Sequence, residues 1–244
     1  MRVEKSRALA ARRLGFEFVV VLLGVLGALA VDDYRDWRAD RQLERHALDG
    51  ILEGLSRDQE DLRQGARTAR SRAGASLFAL KRAGEDVPVG TQQAGEMTAV
   101  IDSIADGMDF PRAARLIGFV TDFEVSGSTY DELVSSGQLS VLANVKLRSA
   151  PADYYYRTEF VADFAASLRA RPLSTYEDVL AGYGWTALAL WGADEDQLEG
   201  LFRSEPRARA VARSMLVGSE RQARLQEELA SQAEDVRSQI LRAN

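Results

Sequence analysis

The chain has no cysteine, and His46 is its only histidine. Without thiols there are no disulfides, thiolate nucleophiles or cysteine metal sites. One imidazole cannot build a multi-histidine zinc site, and a Ser-His-Asp triad would leave no second histidine to spare. Lysine is scarce too. Lys5, Lys81 and Lys146 are the only ones, so arginine carries nearly all the positive charge. No Walker loop, dinucleotide glycine fingerprint, HExxH or nucleophile elbow occurs. The sequence therefore points to no enzyme, no cofactor and no metal.

Long apolar runs are also lacking, with one exception. Leu14 to Val31 reads LGFEFVVVLLGVLGALAV, interrupted by a single acid, Glu17. At 1.5 Å per residue it reaches roughly 27 Å, enough for a hydrocarbon core of ~30 Å with slight thinning. Arg2, Lys5, Arg7, Arg12 and Arg13 precede it. A basic start, an apolar stretch and Ala28-Leu29-Ala30 also describe a cleaved signal peptide. Glu17 inside the apolar region favours an uncleaved anchor. The dense basic tail, set against Asp32, Asp33, Asp36, Asp40 and Glu44 on the far side, orients the N-terminus to the cytoplasm. The expected order is a cytoplasmic tail over 1–13, a transmembrane helix over 14–31 and a periplasmic domain over 32–244. The expected location is a bacterial inner membrane, crossed once.

Beyond Glu17 the chain holds 26 basic and 35 acidic residues, a formal charge of −9. Such a domain repels phosphate backbones, so nucleic acid is not an expected partner. Its pattern is helical. Leu43, Leu48, Ile51, Leu52, Leu55, Leu62, Ala66, Ala69, Ala73, Leu77 and Leu80 recur mostly at three- and four-residue spacing and predict a long helix over 37–83. The stretch around Gly84–Gly90, with Pro88, is a turn. Met97, Ile101, Ile104 and Met108 mark a second helix, which Phe110-Pro111 should end. Leu116 to Gly127 is a loop or short strand.

Thr129-Tyr130-Asp131-Glu132 and Ser174-Thr175-Tyr176-Glu177 have the spacing of capping boxes. Gly137 should stop the first of these helices, and Asn144 should cap the next. Pro151 should kink or divide that helix, and Arg171-Pro172 should break it. Tyr156, Phe160, Phe164 and Leu168 fall four apart and are read as core. A final helix should start near Ser204 and run towards Ile240. The fold class expected is all-α, with one transmembrane helix continuing into an extracytoplasmic bundle.

Two blocks carry a resemblance. The first is Gly15-Phe16-Glu17, an apolar run, Gly24-Val25-Leu26-Gly27-Ala28-Leu29 and Asp32-Asp33-Tyr34. The second is Thr129-Tyr130-Asp131-Glu132-Leu133, Ser135-Ser136-Gly137-Gln138-Leu139, Asn144, Lys146-Leu147-Arg148 and Tyr154-Tyr155. Together, over about a quarter of the chain, they resemble a family of bacterial single-span membrane proteins of unknown function. Asp32, Asp33 and Tyr34 stand where that family tends to show Asn-Asn-Trp, and Pro151 interrupts the second block. The resemblance implies an anchor and a helical outer domain, and no catalytic residue.

Candidate contact residues come from the span and from one apolar stretch. Gly24 and Ala28 have small-xxx-small spacing, with Gly27 beside them, and would let another helix approach closely. Glu17 can pair with a partner helix, or reach the interface towards Arg13. Tyr34 and Trp37 suit the aromatic belt. His46, in a polar helical stretch, is expected to be solvated. The stretch VLAGYGWTALALW over 179–191 is too short to span a bilayer. It reads as a core helix, or as a docking patch through Tyr183, Trp185 and Trp191. Asp194-Glu195-Asp196 reads as a solvated turn.

The expected function is a non-catalytic accessory subunit. Its span would pack on an integral-membrane complex, photosynthetic or respiratory, and its acidic domain would cap that complex. The alternative is an extracytoplasmic sensor or ligand-binding bundle acting through a partner. A membrane-anchored hydrolase is the third and least supported class. The lipid bilayer is a partner in each case, and no residue specifies a small-molecule ligand.

Overall fold

A computed structural model describes the backbone of residues 2–87, 95–120, 127–142, 144–186, 190 and 192–243. Within these, the side chains of 2–21, 95–98, 128 and 138 lie outside the description. All regular structure among the described residues is helical. Two helices frame it. Helix α1 covers Arg2–Arg82 and helix α8 covers Pro206–Ala243. They run antiparallel: Gln59 donates to the Ala230 carbonyl, Arg72 donates to Ser219, and Arg209 pairs with Glu85 just past the end of α1. The long three-and-four stripe of α1 supplies its buried face, from Leu48 through Leu80.

Midway, Ala66, Ala69 and Ala223 form a narrow waist. Small side chains let the two backbones come close there, and they separate two larger cores. The far core joins α1 beyond Ala73 to α2 (Gly95–Asp106), α3 (Phe110–Ile117), α6 (Ser174–Gly182), α7 (Glu195–Ser204) and the first half of α8. Phe110 anchors it, 5.2 Å from Phe78 and 5.8 Å from Phe202 between ring centres. The near core joins α1 from Ala47 to Leu62 with α4 (Ser128–Ser135), α5 (Val145–Leu168) and the second half of α8.

Local chemistry differs from the sequence expectation at several places. Phe110-Pro111 opens α3 rather than closing α2. Asp109 caps α3 by accepting from the Arg112 N–H at 2.7 Å, and proline in the first turn forfeits no helical bond. So Leu116 lies in a helix, while 121–126 of the expected loop fall outside the described residues.

Neither expected capping box forms. The cap of α4 is Gly127, with no side-chain bond, and Thr129 lies inside the helix. Thr129 packs on α1 at Gly50, where an added Cβ would sit 2.7 Å from its methyl group. Ser174 bonds back to the carbonyls of Ala170 and Arg171 because the chain arrives already helical. A π-turn over Arg169–Leu173 carries α5 into α6, so Arg171-Pro172 bends the path without breaking it. Pro151 likewise sits buried inside an undivided α5.

Gly137 does adopt the left-handed conformation after α4, with φ of 71°, and Asn144 does cap α5, accepting from the Lys146 N–H at 3.0 Å. Asp194 caps α7, and Glu195 and Asp196 complement its positive end. That acid cluster is solvated as expected, but it is a helix start rather than a turn. The apolar stretch 179–191 is not one helix either: α6 stops at Gly182, and Gly184 turns the chain with φ of 76°.

Candidate membrane and partner-contact surface

Helix α1 changes character at Glu44. Every described side chain from 22 to 43 is exposed, and from Glu44 onward one face is buried. Leu22, Leu23, Val25, Leu26, Leu29 and Val31 are all large apolar groups in contact with no core. A Cβ added at Gly24 or Gly27 would meet nothing within 4 Å, and Ala28 is exposed beside them. The small-residue face is therefore open to a neighbouring helix. Glu17 is helical in its backbone, but its side chain lies outside the described residues. No helix among the described residues is long and apolar enough to cross a membrane. The run Leu14–Val31 straddles their limit, since the side chains of 14–21 fall outside it.

Tyr34 and Trp37 follow directly, both exposed, with rings stacked 5.9 Å apart. The Arg41 guanidinium lies over Trp37 at 5.8 Å and pairs with Glu44 at 3.1 Å. His46 is exposed, as its polar setting suggests.

The expected docking patch divides. Tyr183 is exposed and stacks on Trp185 at 6.1 Å, while Trp185 packs partly on the far core. Trp191 lies outside the described residues. Another apolar surface emerges instead on α5. Tyr156 is 77% exposed and Phe160 is 53% exposed. The side of α5 facing the core carries Tyr154, Tyr155, Thr158, Val161 and Ala165. Of the aromatic stripe read as core, Tyr156 and Phe160 are thus on the surface, Phe164 is half-buried and Leu168 is buried. Its four-residue spacing marks a face without saying which way that face turns. Phe164 beside it is covered in part by Arg221, 5.2 Å from the ring centre.

A cavity of about 480 Å³ opens near the far core. Leu116, Phe119, Leu173, Tyr176, Leu180 and Leu190 give it an apolar lining, and Arg112, Arg115 and Glu177 add charge. The Tyr176 hydroxyl donates to the Ala114 carbonyl at 3.1 Å, and burial raises its pKa. That hydroxyl is a fixed structural group rather than a proton donor for chemistry.

Two buried polar groups escaped the sequence reading. Arg72, 1% exposed, donates from Nε to Ser219 at 2.7 Å and from Nη1 to the Phe119 carbonyl at 2.8 Å, and it also bonds Gln222. It ties α1 and α8 to the chain beyond α3. Burial lowers its pKa to about 10. Asp58, fully buried, accepts from the Tyr154 hydroxyl at 3.0 Å. Burial first, and then the Asp58 charge, raise the Tyr154 pKa. Tyr155 and Tyr130 stack beside them at 4.9 Å. A signal for both groups was present. Arg72 and Asp58 fall on the buried stripe, at three- and four-residue spacing from Ala69, Ser76, Leu55 and Leu62.

These groups hold helices together. No group of three or more His, Cys, Asp or Glu among the described residues is placed to hold a metal ion. Glu199, buried in α7, is clamped by the more exposed Arg82 and Arg203, and the Arg82 hydrogen bond first of all keeps its carboxyl below the usual range. No family model, curated protein or solved structure matches the chain.

Proposed function

We propose that the chain is a non-catalytic accessory subunit anchored in a membrane by a single span over 14–31. The span packs on an integral-membrane complex, and the acidic helical domain caps that complex on the periplasmic side. The observation that carries this reading is the uncovered apolar part of α1. Between 22 and 31 it exposes leucine and valine on all sides, which water penalises by about 25 cal/mol for each Å². An α-helix that is apolar all round belongs in lipid or in a protein core. Among the described residues, the body of this chain offers it no core.

Glu17 and the open Gly24/Gly27/Ala28 surface add the partner. Small residues allow close helix approach, and a carboxylate near the span is least costly when it is hydrogen-bonded. Tyr34 and Trp37 mark the outer interface. A photosynthetic or respiratory assembly is a suitable host. With no histidine in the span, the chain itself lacks the usual ligand for haem there.

Mass measurement of the complex after gentle detergent extraction tests the reading. An assembly with integral-membrane neighbours is expected, and a lone monomer would sink it. A second reading, an extracytoplasmic ligand-binding bundle, draws support from the 480 Å³ cavity. A rise in thermal stability with small amphipathic ligands, lost when Leu180→Trp fills the cavity, would favour it.

A further inference from the structure

We infer that the base of the bundle holds a specific site for the phosphodiester of an anionic phospholipid, at the recess between α1 and the end of α8. This inference rests on the membrane reading above and deepens it. The recess is about 680 Å³ and is lined by Tyr34, Trp37, Arg38, Arg41 and Arg45 of α1, with Ala243 of α8 opposite. The three arginines are spaced by three and four, so they share one side of the helix with Tyr34. Asp33, Asp36 and Asp40 obey the same spacing on another side. At 100° per residue the two stripes stand roughly 140° apart. The segment is close to neutral in sum but segregated in space, and the recess lies on the cationic side.

Depth and direction agree with a headgroup. Arg38 lies seven residues past Val31, about 10 Å along the helix at 1.5 Å per residue. Helical side chains tilt towards the N-terminus, so these guanidiniums lean back towards the span. Arginine suits a phosphodiester because its planar fork donates two parallel hydrogen bonds. Trp37 and Tyr34 supply the interfacial aromatic ledge below.

Among the described residues, two negative groups face the same recess. Glu44 is engaged by Arg41 at 3.1 Å. The carbonyl end of α8 carries a partial negative charge, and Arg242 in its last turn opposes it. Arg38 and Arg45 supply the additional positive charge. Because the segment has no net positive charge, diffuse attraction to an anionic surface does not explain such a cluster, and a bound headgroup does.

The test uses the full chain in mild non-ionic detergent, offered equal amounts of phosphatidylglycerol and phosphatidylcholine with matched acyl chains. Native mass spectrometry reads the lipid retained. The wild type is expected to keep phosphatidylglycerol in preference. The R38Q/R45Q variant is expected to lose that preference by roughly tenfold, the worth of a charge-assisted bond, while R57Q on the exposed body keeps it. Both altered side chains are exposed, so an unchanged circular dichroism spectrum is expected. Equal retention by wild type and R38Q/R45Q overturns the proposal. So does displacement by excess inorganic phosphate, which would assign the recess to free phosphate. Retention of the chain by native membranes under urea washing separates the two levels. A chain that stays but has no lipid preference loses only this site, and a chain that washes off loses the anchor reading and the site together.

Discussion

The two parts of α1 are one unbroken helix with opposite designs. From 44 to 82 its apolar residues keep to a stripe, and the opposite face carries charges such as Arg57, Glu60 and Arg67. Every large apolar residue there except the half-buried Leu52 and Phe78 is buried against α2 to α8. Between 22 and 31 the apolar residues go all the way round and every one of them is exposed, with no other described element covering them. The difference teaches where each part finds its solvent. A striped helix is completed by its own chain, and a fully apolar one needs an environment the chain does not contain.

The comparison breaks most visibly under charge. Leu23→Arg with Leu26→Arg places two cations near the middle of the proposed span, at about 2.5–3.5 kcal/mol each. The expected outcome is loss of the chain from urea-washed membranes, with unchanged thermal unfolding of the helical body. Unfolding of the body as well would show that the first part of α1 is held by the rest of the chain.

The reverse experiment is Leu62→Ala in the striped part. Leu62 is fully buried in the near core. The cavity left should lower unfolding stability by about 2–5 kcal/mol in urea titrations. Membrane retention should persist.

Smaller effects sharpen the picture within the striped part. Tyr154→Phe removes a buried hydroxyl that bonds to Asp58 and should cost about 1–3 kcal/mol. The tyrosines also predict a pH profile. Burial raises the pKa of Tyr130, Tyr154, Tyr155 and Tyr176 above the ordinary value near 10. Above that pH the unfolded chain releases phenolic protons that the folded chain retains. Stability is therefore fully present below about pH 10 and falls as pH rises through it. Arg72 acts in the opposite sense, since its lowered pKa favours folding as pH rises from about 10 towards its unfolded value. One arginine opposes four phenols, so the net slope is downward. Chemical denaturation between pH 8 and about pH 11 measures it.

The smallest effect belongs to α5. Phe160→Ser should change stability by no more than about 0.5 kcal/mol, because the ring is exposed. A loss of several kcal/mol would return the aromatic stripe to the core.

Much of this was legible because helical periodicity is a local property. Leu48 through Leu80, the left-handed turn at Gly137 and the Asn144 cap each depend on neighbours within a turn or two, and each falls where the sequence puts it; α8 starts at Pro206, two residues past the expected Ser204. The misplaced features depend on partners far along the chain. Thr129 has capping chemistry, but Gly50 of α1 offers it a seat inside the helix. The Tyr156–Phe164 stripe and the Tyr154–Val161 stripe are both apolar, and packing on α1 and α8 selects the second. Arg171-Pro172 looks like a break until the π-turn absorbs it.

For the contact surface the division is similar. Composition alone excludes thiol chemistry and multi-histidine metal sites, and the single apolar run in a helical chain is plain in the residue order. Those are properties of which atoms are present and how they repeat. Tertiary structure decided the rest. It brought Arg72 under Ser219, set Tyr154 on Asp58, opened an apolar cavity between α3 and α6, and brought the end of α8 beside Arg38, Arg41 and Arg45. These bring together residues 62, 96 and 147 positions apart, and no local pattern encodes which distant surface will supply the other half of a site.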